Sequence, residues 1–101
     1  MSRVFGASET LLAGPDLVAV DNSENGQTLS TLLGKAVFSS LTRLVLIPAS
    51  AGIYFASGAA SAASAPLPAA GIDLPCRKSE ADELRFVVAG DAVGMTIVQV
   101  G

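Results

Sequence analysis

Six consecutive residues, Asp21-Asn22-Ser23-Glu24-Asn25-Gly26, form the part of this sequence that comes closest to a metal-binding motif. Oxygen-bearing side chains at alternating positions, with glycine sixth, match the opening of a calcium loop. That loop also needs a bidentate acid at its twelfth position, which is Leu32 in this chain. Because the ligand set is incomplete and Asn-Gly favours a turn, we interpret the segment as a polar turn.

A second candidate group is acidic. Glu80, Asp82 and Glu83 follow directly after Arg77 and Lys78. Paired carboxylates can act as general acid and base when their surroundings separate their pKa values, so a hydrolase or ligand-binding site is one hypothesis. A mixed run of charges in a loop is more often a solvated surface, and we favour that interpretation.

Nucleophilic chemistry lacks its usual supporting residues. The chain has no His and one Cys, Cys76, so it has no internal disulfide, no Cys-x-x-Cys pair and no imidazole to activate a Ser or Cys nucleophile. Gly34-Lys35 is followed by Ala36 and lacks the earlier glycine of a phosphate-binding loop. We expect Cys76 to be a half-buried small apolar side chain. We assign no catalytic, cofactor-binding or metal-binding residue, and we expect no cofactor and no enzymatic activity.

Composition favours a protein that packs against neighbours. The chain has 101 residues, enough for one domain, with a net charge of −3, 15% charged residues and seventeen alanines. Since alanine buries little area, we expect a weak core, an Ala-, Ser-, Gly- and Thr-rich surface, and homo-oligomerisation. The few basic residues are scattered, so we expect no nucleic-acid partner.

An uncharged stretch between Arg43 and Asp73 raises the possibility of membrane contact. Its strong hydrophobes stop near Phe55, well short of the roughly 20 residues that cross a bilayer, and prolines and glycines interrupt it. The N-terminus also lacks the continuous apolar core of a secretory signal. We therefore expect no membrane partner. A small membrane-active protein that uses residues 44–70 is kept as an alternative.

Apolar periodicity and turn residues predict the elements that would position these groups. We expect a mainly β protein: a small antiparallel β-sandwich or barrel with one short helix and an extended N-terminal arm. Residues 1–16 are predicted to be an arm or edge segment that ends in a Gly14-Pro15 turn, and residues 17–101 a single β-rich domain. The predicted elements are a strand at 17–20, a helix from Thr28 or Ser30 that Gly34 interrupts, strands at 41–48, 53–57, 71–75, 84–89 and 93–100, and a single helical turn at 79–83 beginning at Ser79.

Two hairpins are predicted from short connections. Residues 41–48 and 53–57 are separated by Ala49-Ser50-Ala51-Gly52, and residues 84–89 and 93–100 by a turn at Gly90-Asp91. The Ala/Ser-rich segment 58–70 is left as either an extended edge or a loop, with an extended end at 65–68 because proline restricts the residue before it.

Residues 44–100 resemble small β-rich structural proteins of tailed bacteriophages. The resemblance lies in a strand-turn-strand unit, a small-residue loop that leads to a proline turn, and a final hairpin. The residues that carry it are 44–48, 52–58, 65–68, 84–89 and 95–100.

The resemblance implies a non-enzymatic structural component of the virion that is assembled in the host cytoplasm. A capsid decoration (cement) protein is the leading hypothesis, and a neck or tail structural protein is the alternative. The implied partners are the major capsid protein or other virion proteins, together with further copies of the chain itself.

Overall fold

Two antiparallel sheets, each of four strands, form the part of the chain that the computed structural model describes, residues 9–101. Their inner faces share one core, which confirms the predicted sandwich-like β fold. In chain order the elements are β1 (Leu11–Val20), β2 (Gln27–Thr28), α1 (Leu29–Leu33), β3 (Arg43–Pro48), β4 (Ile53–Ser57), β5 (Ala65–Pro66), β6 (Ile72–Pro75), α2 (Lys78–Ala81), β7 (Leu84–Val88) and β8 (Val93–Val100).

The strand order differs from the chain order in both sheets. Sheet A has the order β1-β8-β3-β6, and sheet B has the order β2-β7-β4-β5. Among these strands only β4 and β5 are both consecutive in the chain and hydrogen-bonded to each other. Most connections therefore pass from one sheet to the other, so contacts between distant parts of the sequence hold each sheet together.

Both predicted hairpins are wrong. β3 pairs with β8 and β6 in sheet A, whereas β4 pairs with β7 and β5 in sheet B. β7 and β8 likewise belong to opposite sheets. The four strands of the predicted hairpins, β3, β4, β7 and β8, each have an inner face of large apolar side chains. Short connections that arch between the sheets bring two such faces together. A hairpin would instead place neighbouring strands side by side in one sheet.

β1 crosses the position where the sequence predicts a turn. The strand continues through Gly14-Pro15, a cis peptide, and its register to β8 shifts between Ala13 and Asp16. Gly14 has a φ of 110°, and a Cβ there would lie 2.6 Å from the carbonyl oxygen of Ile97, so only glycine fits. Residues 11–16 are thus an edge strand of sheet A, and the predicted arm at residues 1–8 lies outside the described residues.

Local signals determine the bounds of α1. Thr28 caps the helix, its Oγ1 accepting a hydrogen bond from the backbone N–H of Thr31 at 3.3 Å. Gly34 ends it in the left-handed conformation, with φ 74°. The predicted start and the interruption at Gly34 are confirmed.

α2 begins earlier than predicted. Its N-cap is Arg77 rather than Ser79, and the backbone N–H of Arg77 donates to Glu80 Oε1 at 3.0 Å. The Glu80 side chain thus provides an acceptor for one of the amides that have no partner within the helix.

Large aliphatic residues, not alanines, form the core. The largest fully buried side chains include Phe86, Leu44, Leu46, Ile53 and Ile97. Among the described alanines only Ala60 and Ala81 are buried, and most of the others are exposed. Alanine therefore contributes little to the core and much of the described surface. Alanines concentrate in connections, where a small side chain has little to pack against.

Candidate functional site

The Asp21–Gly26 segment folds as a self-contained polar turn. Asp21 carboxylate oxygen Oδ1 accepts hydrogen bonds from the Ser23 backbone N–H, at 2.9 Å, and from the Ser23 hydroxyl. These two bonds, the hydroxyl first, lower the pKa of Asp21 from its ordinary value. Asn25 adopts a left-handed conformation, and Gly26 N–H donates to Ser23 O at 3.0 Å. The Oδ1 atom of Asp21 is thus hydrogen-bonded within the turn.

The three acidic residues near α2 have separate local partners. Glu80 accepts from the Arg77 backbone, Asp82 pairs with Lys78 Nζ at 2.8 Å, and Glu83 Oε2 accepts from the Ser57 hydroxyl at 3.4 Å. Across residues 9–101, no group of three or more Cys, Asp or Glu residues is arranged to hold a metal ion. The carboxylates lie near each other in sequence, but Glu80 and Asp82 have partners within α2 and its caps, whereas Glu83 contacts Ser57 at the end of β4.

Cys76 lies beside a cleft of about 280 Å³ that also involves Ser57, Leu74, Glu80 and Glu83. The thiol is buried, and its pKa is raised, first by burial away from water and then by the negative charge of Glu80. A raised pKa keeps the sulfur protonated and therefore poorly nucleophilic. The backbone N–H of Cys76 donates to Thr42 O at 3.1 Å, which fixes this segment beside β3.

The apolar stretch at residues 44–70 supplies the interior of the sandwich. Leu44, Leu46 and Ile53 are fully buried, and Leu67 is nearly so. Neither helix in the described part of the chain has the length and hydropathy needed to cross a bilayer. The membrane-active alternative would therefore require these side chains to leave the core.

An exposed apolar surface lies on the outer side of sheet A. The register places Leu17, Thr96 and Ile47 side by side on β1, β8 and β3, with Val98 and Val45 in the adjoining row. Leu17 is 83% exposed and Ile47 43%, whereas the other three are partly buried. We call these five residues the outer apolar face.

Sequence reasoning did not identify this surface. Leu46 and Ile47 are equally hydrophobic, yet Leu46 is fully buried and Ile47 faces outward. The only sequence signal was strand alternation, which separates two faces without showing which one is covered.

A charged cluster borders the outer apolar face. Arg43 Nη1 lies 2.6 Å from Asp73 Oδ2, and Arg43 Nη2 lies 3.3 Å from Glu9 Oε1. Asp73 pairs with Val45 across β6 and β3, so the cluster adjoins the Val45 row. The guanidinium joins β3 and β6 to Glu9, two residues before β1, and its charge is used within the chain.

No family model, curated protein or solved structure matches this chain. Its own residues are consequently the basis for the functional proposals that follow.

Proposed function

We propose that this protein is a non-enzymatic structural component of a tailed-phage virion, specifically a capsid decoration protein that packs against the capsid shell. The observation that carries the proposal is the outer apolar face, a group of uncharged side chains on three neighbouring strands of sheet A. Leu17 on β1 and Ile47 on β3 lie on either side of Thr96 on β8, so two exposed large aliphatic side chains share one side of the sheet. Contiguous exposed apolar surface marks interaction sites in many proteins. The phage assignment itself comes from the resemblance of residues 44–100 to small β-rich virion proteins.

The state of the polar groups supports a structural role. Asp21 is bound in a turn, Glu80 and Asp82 stabilise α2, and Cys76 is a protonated buried thiol. A catalytic site needs groups that are free to exchange protons or bonds with a substrate. These groups instead maintain the shape of the sandwich.

The surface composition supports packing into an ordered array. Exposed alanines and serines cover much of the described loops, including Ala59, Ser61, Ala62 and Ala63. Small side chains lose little conformational entropy on contact and allow backbones to approach closely. The major capsid protein and further copies of this chain are the proposed partners.

Quantitative mass spectrometry of purified particles tests the proposal. The particles come from the phage that encodes the chain, and a decoration protein is expected in a copy number comparable to that of the major capsid protein. Particles that lack the chain would contradict the proposal.

Labelling by electron microscopy distinguishes the two structural alternatives. An antibody to the chain should decorate the head surface if it is a decoration protein. Label confined to the neck or tail, together with a low copy number, would support the neck or tail alternative instead.

A further inference from the structure

We propose that Asn25 is a site of spontaneous deamidation that the fold protects until its turn opens. Asparagine followed by glycine is chemically labile, because glycine has no side chain to shield its backbone nitrogen or to restrict its torsions. The chain has two asparagines, and Asn25 is the one followed by glycine, whereas Asn22 precedes Ser23. Asn25 is also exposed to water, which the reaction consumes. The site is independent of the proposed virion role.

The reaction needs only the chain and water. The backbone nitrogen of Gly26 attacks Cγ of Asn25, the N–Cγ bond forms and the Cγ–Nδ2 bond breaks. Nδ2 leaves as ammonia and takes the proton of the Gly26 amide. Water then opens the five-membered succinimide ring at one of its two carbonyls. Cleavage of the new N–Cγ bond gives aspartate, and cleavage between the nitrogen and the α-carbonyl carbon gives isoaspartate, whose backbone runs through the side chain.

Hydrogen bonds in the folded chain oppose this reaction. The Gly26 N–H donates to Ser23 O at 3.0 Å, and the Asn25 carbonyl accepts from the backbone N–H of Ala60 at 3.0 Å. The Gly26 carbonyl accepts from Arg85 Nη1 at 3.3 Å. Since the attacking nitrogen must lose its proton and its planar geometry, its bond to Ser23 has to break first. The bonds to Ala60 and Arg85 hold the two peptide groups beside it in place.

Packing around Gly26 adds a second restraint. Gly26 is buried, and a Cβ built on it would lie 3.1 Å from Phe86 O and 3.2 Å from the Cβ atoms of Ala60 and Arg85. The backbone therefore has little room to move toward the Asn25 side chain while its neighbours stay packed. Reaction requires local opening of the turn, so the rate in the folded chain scales with the fraction of time that the turn is open.

The two products differ in how well they fit the turn. Asn25 has a φ of 65°, a left-handed conformation that aspartate also tolerates. Isoaspartate adds one backbone carbon between the carbonyl that Ala60 binds and the carbonyl that Arg85 binds, so these acceptors lose their present spacing. Gly26 directly precedes β2, whose two residues pair with β7. The isoaspartyl chain therefore loses contacts at this edge of sheet B and is less stable.

Mass spectrometry of the full chain tests the inference. Native samples and samples unfolded in urea are incubated at one pH and temperature, and peptide mapping assigns aspartate and isoaspartate to Asn25 or Asn22. Asn25 should react at least about tenfold faster in the unfolded chain, because the native turn has to open first. In the unfolded chain Asn25 should also react faster than Asn22, which is the internal reference.

Arg85→Met tests the protection directly. The variant removes the donor to Gly26 O but keeps a long side chain, and it should raise the native rate at Asn25 about two- to tenfold, the range for one lost hydrogen bond. The unfolded rate should not change. Lys35→Met removes the same charge at an exposed position and should change neither rate.

The stability of the products gives a further test. Asn25→Asp reproduces the product with an ordinary backbone and should unfold at the same urea concentration as the wild type. The purified isoaspartyl chain should unfold at a lower urea concentration. An isoaspartyl chain as stable as the wild type would show that the turn accepts the extra carbon, and this part of the inference would be wrong.

Two other results would overturn the protection itself. These are equal rates at Asn25 in the native and unfolded chains, and an unfolded chain in which Asn25 reacts no faster than Asn22. Circular dichroism shows whether Arg85→Met is folded. If it is not, amide hydrogen exchange on the wild-type chain replaces it: the N–H groups of Gly26 and Ala60 should exchange slowly, because both donate within the closed turn. Rapid exchange at both would contradict the inference.

Discussion

Gln99 Oε1 accepts a hydrogen bond from the backbone N–H of Phe38 at 2.9 Å, across 61 positions in the chain. Gln99 is fully buried on β8, and Phe38 belongs to the segment between α1 and β3. This bond links the last strand to the connection that closes one end of the sandwich. A buried polar side chain in the core is thus used to hold a loop.

Replacing Gln99 tests the energetic value of that bond. Gln99→Met retains most of the volume but leaves the Phe38 amide without its acceptor, which should cost about 1–3 kcal/mol. For a domain of this size each kcal/mol lowers Tm by about 4–8 °C. Thr96→Val, at an outward position of the same strand, should change stability by less than about 0.5 kcal/mol. Gln99→Met also removes Nε2, which is buried and has no hydrogen-bond partner among the described residues. Equal Tm values for the variant and the wild type would therefore show that the bond is worth no more than this buried donor costs.

The two faces of sheet A should respond differently to truncation. Ile97→Ala removes a fully buried side chain and should cost about 2–5 kcal/mol in the free energy of unfolding. Leu17→Ala removes an 83% exposed side chain and should change it by less than about 0.5 kcal/mol. Urea unfolding at a low protein concentration measures both without a contribution from association. A large loss for Leu17→Ala would mean that this side chain is covered within a single chain.

The Asp21 turn should be visible in an acid titration. Hydrogen bonds from Ser23 lower the pKa of Asp21 below its ordinary value of 3.8, so the folded state binds this proton less readily than the unfolded state. The resulting stabilisation is present above pH 3.8 and is lost as the pH falls through the lowered value. Carboxyl NMR should show the low pKa, and Ser23→Ala should raise it because the hydroxyl donor is removed.

Calcium provides a control for the same turn. Since the Asp21 carboxylate is committed to Ser23, millimolar calcium should leave the Asp21 carboxyl resonance and Tm unchanged. Saturable calcium-dependent changes in the NMR resonances of Asp21 and Asn25 would support the calcium-loop hypothesis.

Cys76 should make stability fall at alkaline pH. Burial raises the thiol pKa above its ordinary value of 9.0, so the unfolded chain loses this proton at a lower pH than the folded chain. The contribution of Cys76 is complete below pH 9.0 and declines as the pH rises toward the folded value. Cys76→Ala should remove this part of the pH dependence, as measured by urea unfolding across the alkaline range.

The reactivity of Cys76 gives an independent measurement. A neutral thiol-reactive reagent should modify the native protein much more slowly than the unfolded chain, because both burial and the raised pKa protect the sulfur. Glu80→Gln should lower the pKa modestly by removing the nearby negative charge. Rapid modification of the folded wild-type protein would show that Cys76 is an accessible thiolate.

Sequence by itself determined much of the local structure, although not the start of α2 or the course of β1 through Gly14-Pro15. Alternating aliphatic residues predicted most of the strands, Thr28 and Gly34 marked the ends of α1, and Asn25-Gly26 marked the turn, because each of these signals acts between residues close in the chain. The β fold class followed from the same patterns. These interactions need no knowledge of distant segments.

Only the tertiary structure decided the pairing of strands and the exposure of their faces. β3 pairs with β8, about fifty residues away, rather than with its neighbour β4, because burial of two apolar faces outweighs a short connection. The packing of sheet B against one side of sheet A buries Leu46 and leaves Ile47 and Leu17 exposed. Hydrophobicity and spacing are similar for these residues, so the covered and uncovered sides of sheet A became distinguishable only after sheet B was packed against one of them.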